Sequence, residues 1–160
     1  MTLHQIDQAP EEALRPPLFE CCGCARWVDR FLAARPFHNQ TALLTAADSA
    51  WWALDPSDWI EAFRAHPRIG EKNLSALSSQ EQSGLNSAPH YVLDQLAARN
   101  LEYERRFGWI FLICATGQSA QAMLQALTAR LDNSPDQELQ VAAAEHAKII
   151  RLRLIKLLSA

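Results

Sequence analysis

One run of the chain, Trp109-Ile110-Phe111-Leu112-Ile113-Cys114-Ala115, has the residue types of a β-strand, and no second run of similar character exists to pair with it. A lone strand is not stable, because its backbone donors and acceptors stay unmet. The run is therefore either a buried extended segment or the first turns of a helix. Everything else must fold as helices, so the expectation for residues 1–160 is an all-α, compact, single-domain, multi-helix bundle. A chain of 160 residues is long enough to bury a real core.

The punctuation places the helices. Residues 11–14 read as a short turn that Pro16-Pro17 stops. A helix from Glu20 to Ala34 puts Trp27, Phe31 and Leu32 on one side, and Pro36 ends it. Thr41 caps the next, which runs through Leu43 and Leu44 towards Trp51. Asp55-Pro56 opens a short helix that stops before Pro67. Residues 68–77 read as a loop, and Ser78-Ser79-Gln80-Glu81-Gln82 opens another helix. Pro89 begins a long one to Arg106 that Gly108 caps. Ser119 caps a helix through Leu131, and Asn133-Ser134-Pro135 breaks it. The last helix, from Asp136 to Leu158, carries Leu139, Ala142, His146, Ile149, Arg153 and Leu157 on one face.

Composition narrows the function classes. The chain is 49% hydrophobic and 21% charged, a globular balance rather than a disordered one. Its net charge is -3 and its basic residues are dispersed among acids, which argues against nucleic acid as a partner. The longest apolar run is far too short to span a bilayer. No basic stretch followed by an apolar core opens the chain, so the cytoplasm is the expected compartment. Cys21, Cys22 and Cys24 cluster, but no second cysteine pair follows, and two adjacent thiols ligate one metal poorly. Reduced, partly buried thiols are expected, and no metal.

Three positions draw attention chemically. His66 precedes a proline at a helix-to-loop junction, where an imidazole can either pack on Trp59 or Phe63 or handle protons near neutrality. Ser78-x-x-Glu81 fits a capping box, a sufficient structural explanation. The same helix start would also offer amides to an anionic substrate beside a protein carboxylate. Arg153 lies on the apolar stripe of the last helix, where a guanidinium either snorkels outward, pairs with an acid or serves a ligand. His146 on the same stripe reads as packing. No phosphate loop, dinucleotide fingerprint or nucleophile elbow is present.

Taken in series, these segments carry more than each does alone. His66-Pro67-Arg68-Ile69-Gly70 is followed by Glu81-Gln82-Ser83-Gly84, by Tyr103 with Phe107-Gly108, and by the run to Cys114-Ala115. Leu127 to Arg130 and Glu145 with Ile149, Arg153 and Leu154 complete the order. The series resembles the 2-oxo-4-hydroxy-4-carboxy-5-ureidoimidazoline (OHCU) decarboxylase family, which acts in urate breakdown to (S)-allantoin, and it covers nearly the whole chain. The resemblance implies an all-helical enzyme with no cofactor, His66 and Glu81 as catalytic residues, and a small ureidoimidazoline as substrate. It also implies a substrate site lined by Pro67, Ser78, Gln82, the backbone of Phe111, Leu112, Ile113, Cys114 and Ala115, and Arg153. It leaves room for a homodimer, whose stoichiometry nothing local fixes. Two other readings compete. A helical adaptor would dock a partner on an exposed apolar stripe of the last helix, and a thiol or zinc sensor would use Cys21, Cys22 and Cys24.

Overall fold

The computed structural model describes residues 1–72 and 74–159, and every regular element among them is helical. In chain order these are α1 (Leu3–Gln8), α2 (Glu11–Cys22), α3 (Ala25–Ala33), α4 (Gln40–Trp52), α5 (Pro56–Arg64), α6 (Ala76–Glu81), α7 (His90–Phe107), α8 (Ala120–Arg130) and α9 (Pro135–Ser159). A 3-10 turn, Ser83–Leu85, follows α6. The all-α expectation holds. The strand-like run at 109–115 is neither helix nor paired strand, and Phe111 to Ala115 are all buried, which is the extended alternative. Among the described residues no helix is long and apolar enough to cross a membrane.

The chain forms two compact units. The first comprises Met1–Ala62 with His146–Ala160. Its core is aromatic: Trp27 stacks on Phe31 at 5.0 Å between centroids, Phe31 meets Phe37 at 4.7 Å, and Trp51 stacks on His146 at 4.3 Å. Two of the buried indoles have their N–H satisfied by carbonyls, Trp27 donating to that of Ala47 and Trp59 to that of Trp51, both at 3.1 Å. His146 is therefore packed in this unit, as its place on the stripe implied. Of the stripe, Ala142, His146 and Ile149 are buried and Leu139, Arg153 and Leu157 half-buried, so none of it is the fully exposed face that an adaptor requires. The second unit is Phe63–Glu145. There α7 packs along α8, closing a core of Val92, Leu96, Phe107, Met123 and Leu127. Each such side chain taken fully from water contributes roughly 1.5–3 kcal/mol.

Several helix ends differ from the sequence expectation. Pro16 and Pro17 do not stop a helix; they sit inside α2. The carbonyls that lose a donor belong to exposed Glu12 and Ala13, where water can serve, while buried Leu14, Leu18, Cys21 and Cys22 hold the helix down. The helix expected from Glu20 to Ala34 is broken in two at Gly23, whose left-handed φ of 79° closes α2 with a bond to the Phe19 carbonyl. Asn39, not Thr41, caps α4, accepting the Ala42 N–H at 2.8 Å. Helix α1 was not expected, although Thr2 and Gln5 form a complete capping box there. The starts at Pro56 and Ser119 and the stop at Gly108 fall where the sequence put them.

Because Asn39 holds the cap, Asn39→Ala should cost about 1 kcal/mol in urea unfolding. Thr41→Ala on the exposed first turn should stay within about 0.5 kcal/mol of the parent.

Candidate active site

His66 lies just past α5, half-buried, with its backbone N–H turned back onto the Phe63 carbonyl at 3.1 Å. The four residues after it are tied down from several directions. The Gln82 side-chain oxygen accepts the Gly70 N–H at 2.9 Å, and its amide nitrogen donates to the Arg68 carbonyl at 3.3 Å. Asn100 of α7 donates to the Ile69 carbonyl at 3.1 Å. Arg68 forms a two-pronged ion pair with Glu104 of α7, at 2.8–3.1 Å. Gly70 adopts a φ of 85°, a turn that a side chain would strain. The loop is thus held by contacts that do not involve the His66 ring.

Gln82 is the residue after Glu81, so the bonds that fix the loop also fix the end of α6. The expected capping box is absent. Ser75 is the cap, accepting the Ser78 N–H at 3.1 Å and donating its own hydroxyl to that of Ser78 at 3.1 Å. Helix α6 accordingly starts at Ala76, earlier than expected. Ser78 lies buried within its first turn, and half-buried Glu81 stands at its C-terminal end rather than near free amides. A cap no longer explains Glu81. Gln82, expected to line the substrate site, is buried and spends both ends of its amide on the loop. Pro67 sits half-buried between His66 and the anchored segment.

The 3-10 turn that follows α6 meets the chain just past the 111–115 run. A Cβ on Gly84 would lie 1.9 Å from the Gln118 carbonyl oxygen, so the two backbones touch. The run is gripped through its main chain. The Leu112 carbonyl accepts from Arg130 at 2.8 Å, the Cys114 N–H donates to Glu145 at 3.0 Å, and the Cys114 carbonyl accepts from Gln118 at 2.8 Å. Among the described residues no hydrogen bond engages the Ile113 backbone, which leaves a donor and an acceptor side by side.

Beneath the run lies a buried polar network. The Glu138 carboxylate accepts from Arg130 Nε at 2.7 Å, the Tyr103 hydroxyl at 2.5 Å and the Asn133 amide at 2.9 Å. Trp109 donates to the Tyr103 oxygen at 3.1 Å. Sequence reasoning missed Glu138, because an acid in a first helical turn reads as an ordinary dipole partner. Burial and the bond to Glu138 push the Tyr103 pKa well above its usual value.

Arg153 belongs to the other unit, where its guanidinium donates to the Glu20 carbonyl at 2.8 Å. In that unit all three clustered cysteines are buried and outside any disulfide. Burial raises the Cys22 thiol well above its ordinary pKa, with Cys24 adding to the effect, so it stays protonated. Among the described residues the one grouping of metal-type ligands is Cys24, Asp58 and Glu61, and Arg26 already pairs with Asp58 at 3.0 Å. The three-cysteine zinc sensor is not the grouping that the fold makes.

Among the described residues the frame is all-α, with the loop after α5 tied through Gln82 to the end of α6. The crystal structure of an OHCU decarboxylase in the presence of (S)-allantoin superposes with a TM-score of 0.82 at 33% identity, over 95% of this chain and 100% of that one. The family model for OHCU decarboxylase matches residues 7–155, and the chain belongs to that family. It is 35% identical to the uric acid degradation bifunctional protein TTL of Arabidopsis thaliana, over 87% of this chain and 45% of that protein. It is 27% identical to the 2-oxo-4-hydroxy-4-carboxy-5-ureidoimidazoline decarboxylase of Haloferax volcanii, over 96% and 94% of the two chains. The chain spans less than half of the bifunctional relatives, 45% of the plant protein and 33% of PucL from Bacillus subtilis.

Adding a methyl group at Gly84 must push the Gln118 backbone away, so Gly84→Ala should destabilise by about 1–3 kcal/mol in urea unfolding. Tyr103 stays protonated in the fold beyond the pH at which an unfolded tyrosine ionises. Its contribution is intact below pH of about 10 and is lost as pH rises from there towards its folded-state value. Urea unfolding from pH 8 upward should show that decline, and Tyr103→Phe should flatten it.

Proposed function

We propose that this chain decarboxylates 2-oxo-4-hydroxy-4-carboxy-5-ureidoimidazoline to (S)-allantoin and CO2, with His66 and Glu81 handling protons and positioning the substrate. The observation that carries the reading is the Gln82 amide, which binds the loop after His66 and directly follows Glu81. Two groups able to exchange protons are thereby held on one rigid assembly, and Ser78 and Pro67 sit within the same segments. The family match supplies the reaction.

The substrate explains why so little machinery suffices. Its C4 carries the hydroxyl and the carboxylate, and its C5 is doubly bonded to ring nitrogen. When the C4–carboxylate bond breaks, its electron pair forms a C4=C5 double bond, and the imine pair moves onto nitrogen, which takes a proton. The resulting enol loses its hydroxyl proton to become the C4 carbonyl, and C5 gains a proton. The substrate's imine is the electron sink, so the proposed reaction calls on no metal or organic cofactor. The protein's tasks are orientation and proton transfer, each worth orders of magnitude in rate. Delivery of the C5 proton from one face sets the S configuration, and His66 is assigned that transfer, with Glu81 on the C4 hydroxyl. The Ile113 N–H and C=O suit a cyclic ureide, which offers a carbonyl and an N–H side by side.

A net charge of -3 with dispersed basic residues provides no electrostatic footprint for nucleic acid. We assign the activity to the cytoplasm, which suits four buried thiols outside any disulfide.

The test uses freshly generated substrate, because it decays spontaneously, and follows both rate and the circular dichroism of the allantoin formed. His66→Asn and Glu81→Gln should each lower kcat/KM by about a hundredfold or more. Glu81 stands at the C-terminal end of α6 and not at its cap, so the melting temperature of each variant, measured alongside, separates lost catalysis from lost fold. Parental rates and optical purity in both variants would overturn the assignment.

A further inference from the structure

Arg130 is held more elaborately than stability requires. It is 8% exposed and its partner Glu138 is fully buried. Nε donates to one carboxylate oxygen at 2.7 Å, Nη2 lies in ion contact with the same oxygen at 2.5 Å without hydrogen-bond geometry, and Nη1 donates to the Leu112 carbonyl at 2.8 Å. The guanidinium carbon also sits 4.6 Å from the centre of the Phe111 ring. Burying two charges is costly, and well-packed apolar residues of similar volume usually serve stability as well or better. What apolar residues cannot supply is a planar fork that fixes a backbone carbonyl while itself being fixed. Glu138 is immobilised in turn by Tyr103 and Asn133, so side chains of α7, α8 and the 130s turn converge on one carboxylate of α9, and Arg130 passes that fixation on to the Leu112 carbonyl.

We propose that Arg130 is a positioning residue for the reaction: through the Leu112 carbonyl it sets the placement of the 111–115 backbone against which the substrate ring is held. The inference rests on the decarboxylase reading. Glu145 and Gln118 hold the same run at Cys114, so Ile113 is suspended between two gripped residues. A shift of the run by a fraction of a bond length weakens the backbone contacts that hold the ring, which is lost mainly as binding and to a smaller extent as orientation towards His66 and Glu81.

The test compares Arg130→Lys with Tyr103→Phe. Lysine keeps the charge beside Glu138, but its single ammonium cannot hold both the carboxylate and the Leu112 carbonyl in the guanidinium's geometry. Tyr103→Phe removes a bond from the same carboxylate and leaves the Arg130–Leu112 link intact. In Arg130→Lys, KM should rise about tenfold or more with a smaller fall in kcat, and amide exchange at Ile113 to Ala115 should accelerate. Tyr103→Phe should lower the melting temperature to a similar degree while keeping KM and that exchange close to the parent. If Arg130→Lys fails to fold, the pair Arg130→Met with Glu138→Gln removes both charges together and should show the same rise in KM. An active parent with unchanged KM in Arg130→Lys, or an equal rise in Tyr103→Phe, overturns the positioning role and leaves the decarboxylase reading standing. A parent that does not accelerate the reaction overturns that reading, and the catalytic purpose of the link with it.

Discussion

The ion pair between Arg130 and Glu138 is the constraint on which the second unit is arranged. An unpaired charge at either position would cost several kcal/mol, so each side chain obliges the other to be present and correctly aimed. Because Glu138 also takes the Tyr103 hydroxyl and the Asn133 amide, the first turn of α9, the middle of α7 and the end of α8 share one carboxylate. A strand-like run without a partner strand can be buried only if its polar backbone is answered by something else. Here side chains answer it: Arg130 at Leu112, and Glu145 and Gln118 at Cys114.

The His66 loop follows the same logic with different residues. A loop is normally the mobile part of a fold. This one is stitched by Gln82, Asn100 and Glu104 through its backbone and through Arg68, so the imidazole is presented from a fixed base. His66 and Glu81, the residues proposed to do chemistry, are half-buried beside that anchored frame.

Much of the frame was legible in sequence because its signals are local. Pro56, Ser119 and Gly108 act within one turn of their own positions, and each marks a helix end where it was expected. Errors arose where local rules competed. Pro16 and Pro17 are helix breakers in isolation, yet the burial of Leu14, Leu18 and two cysteines outweighs two lost bonds at an exposed surface. Thr41 and Asn39 are both plausible caps, and so are Ser75 and Ser78. Backbone placement, not residue type, chooses between them.

What the sequence by itself determined was the all-helical class, that the 109–115 run had no strand to pair with, and the order of motifs that places the chain in its family. Those follow from propensity, from the want of a partner strand, and from residue identity along the line. What only the tertiary structure decided was how that run is held: which side chains meet its carbonyls, that Glu81 ends its helix rather than capping it, and that Gly84 must admit the Gln118 backbone. Bonds between residues 18 to 35 positions apart leave no periodic trace in a sequence, because their geometry exists only once the helices have packed.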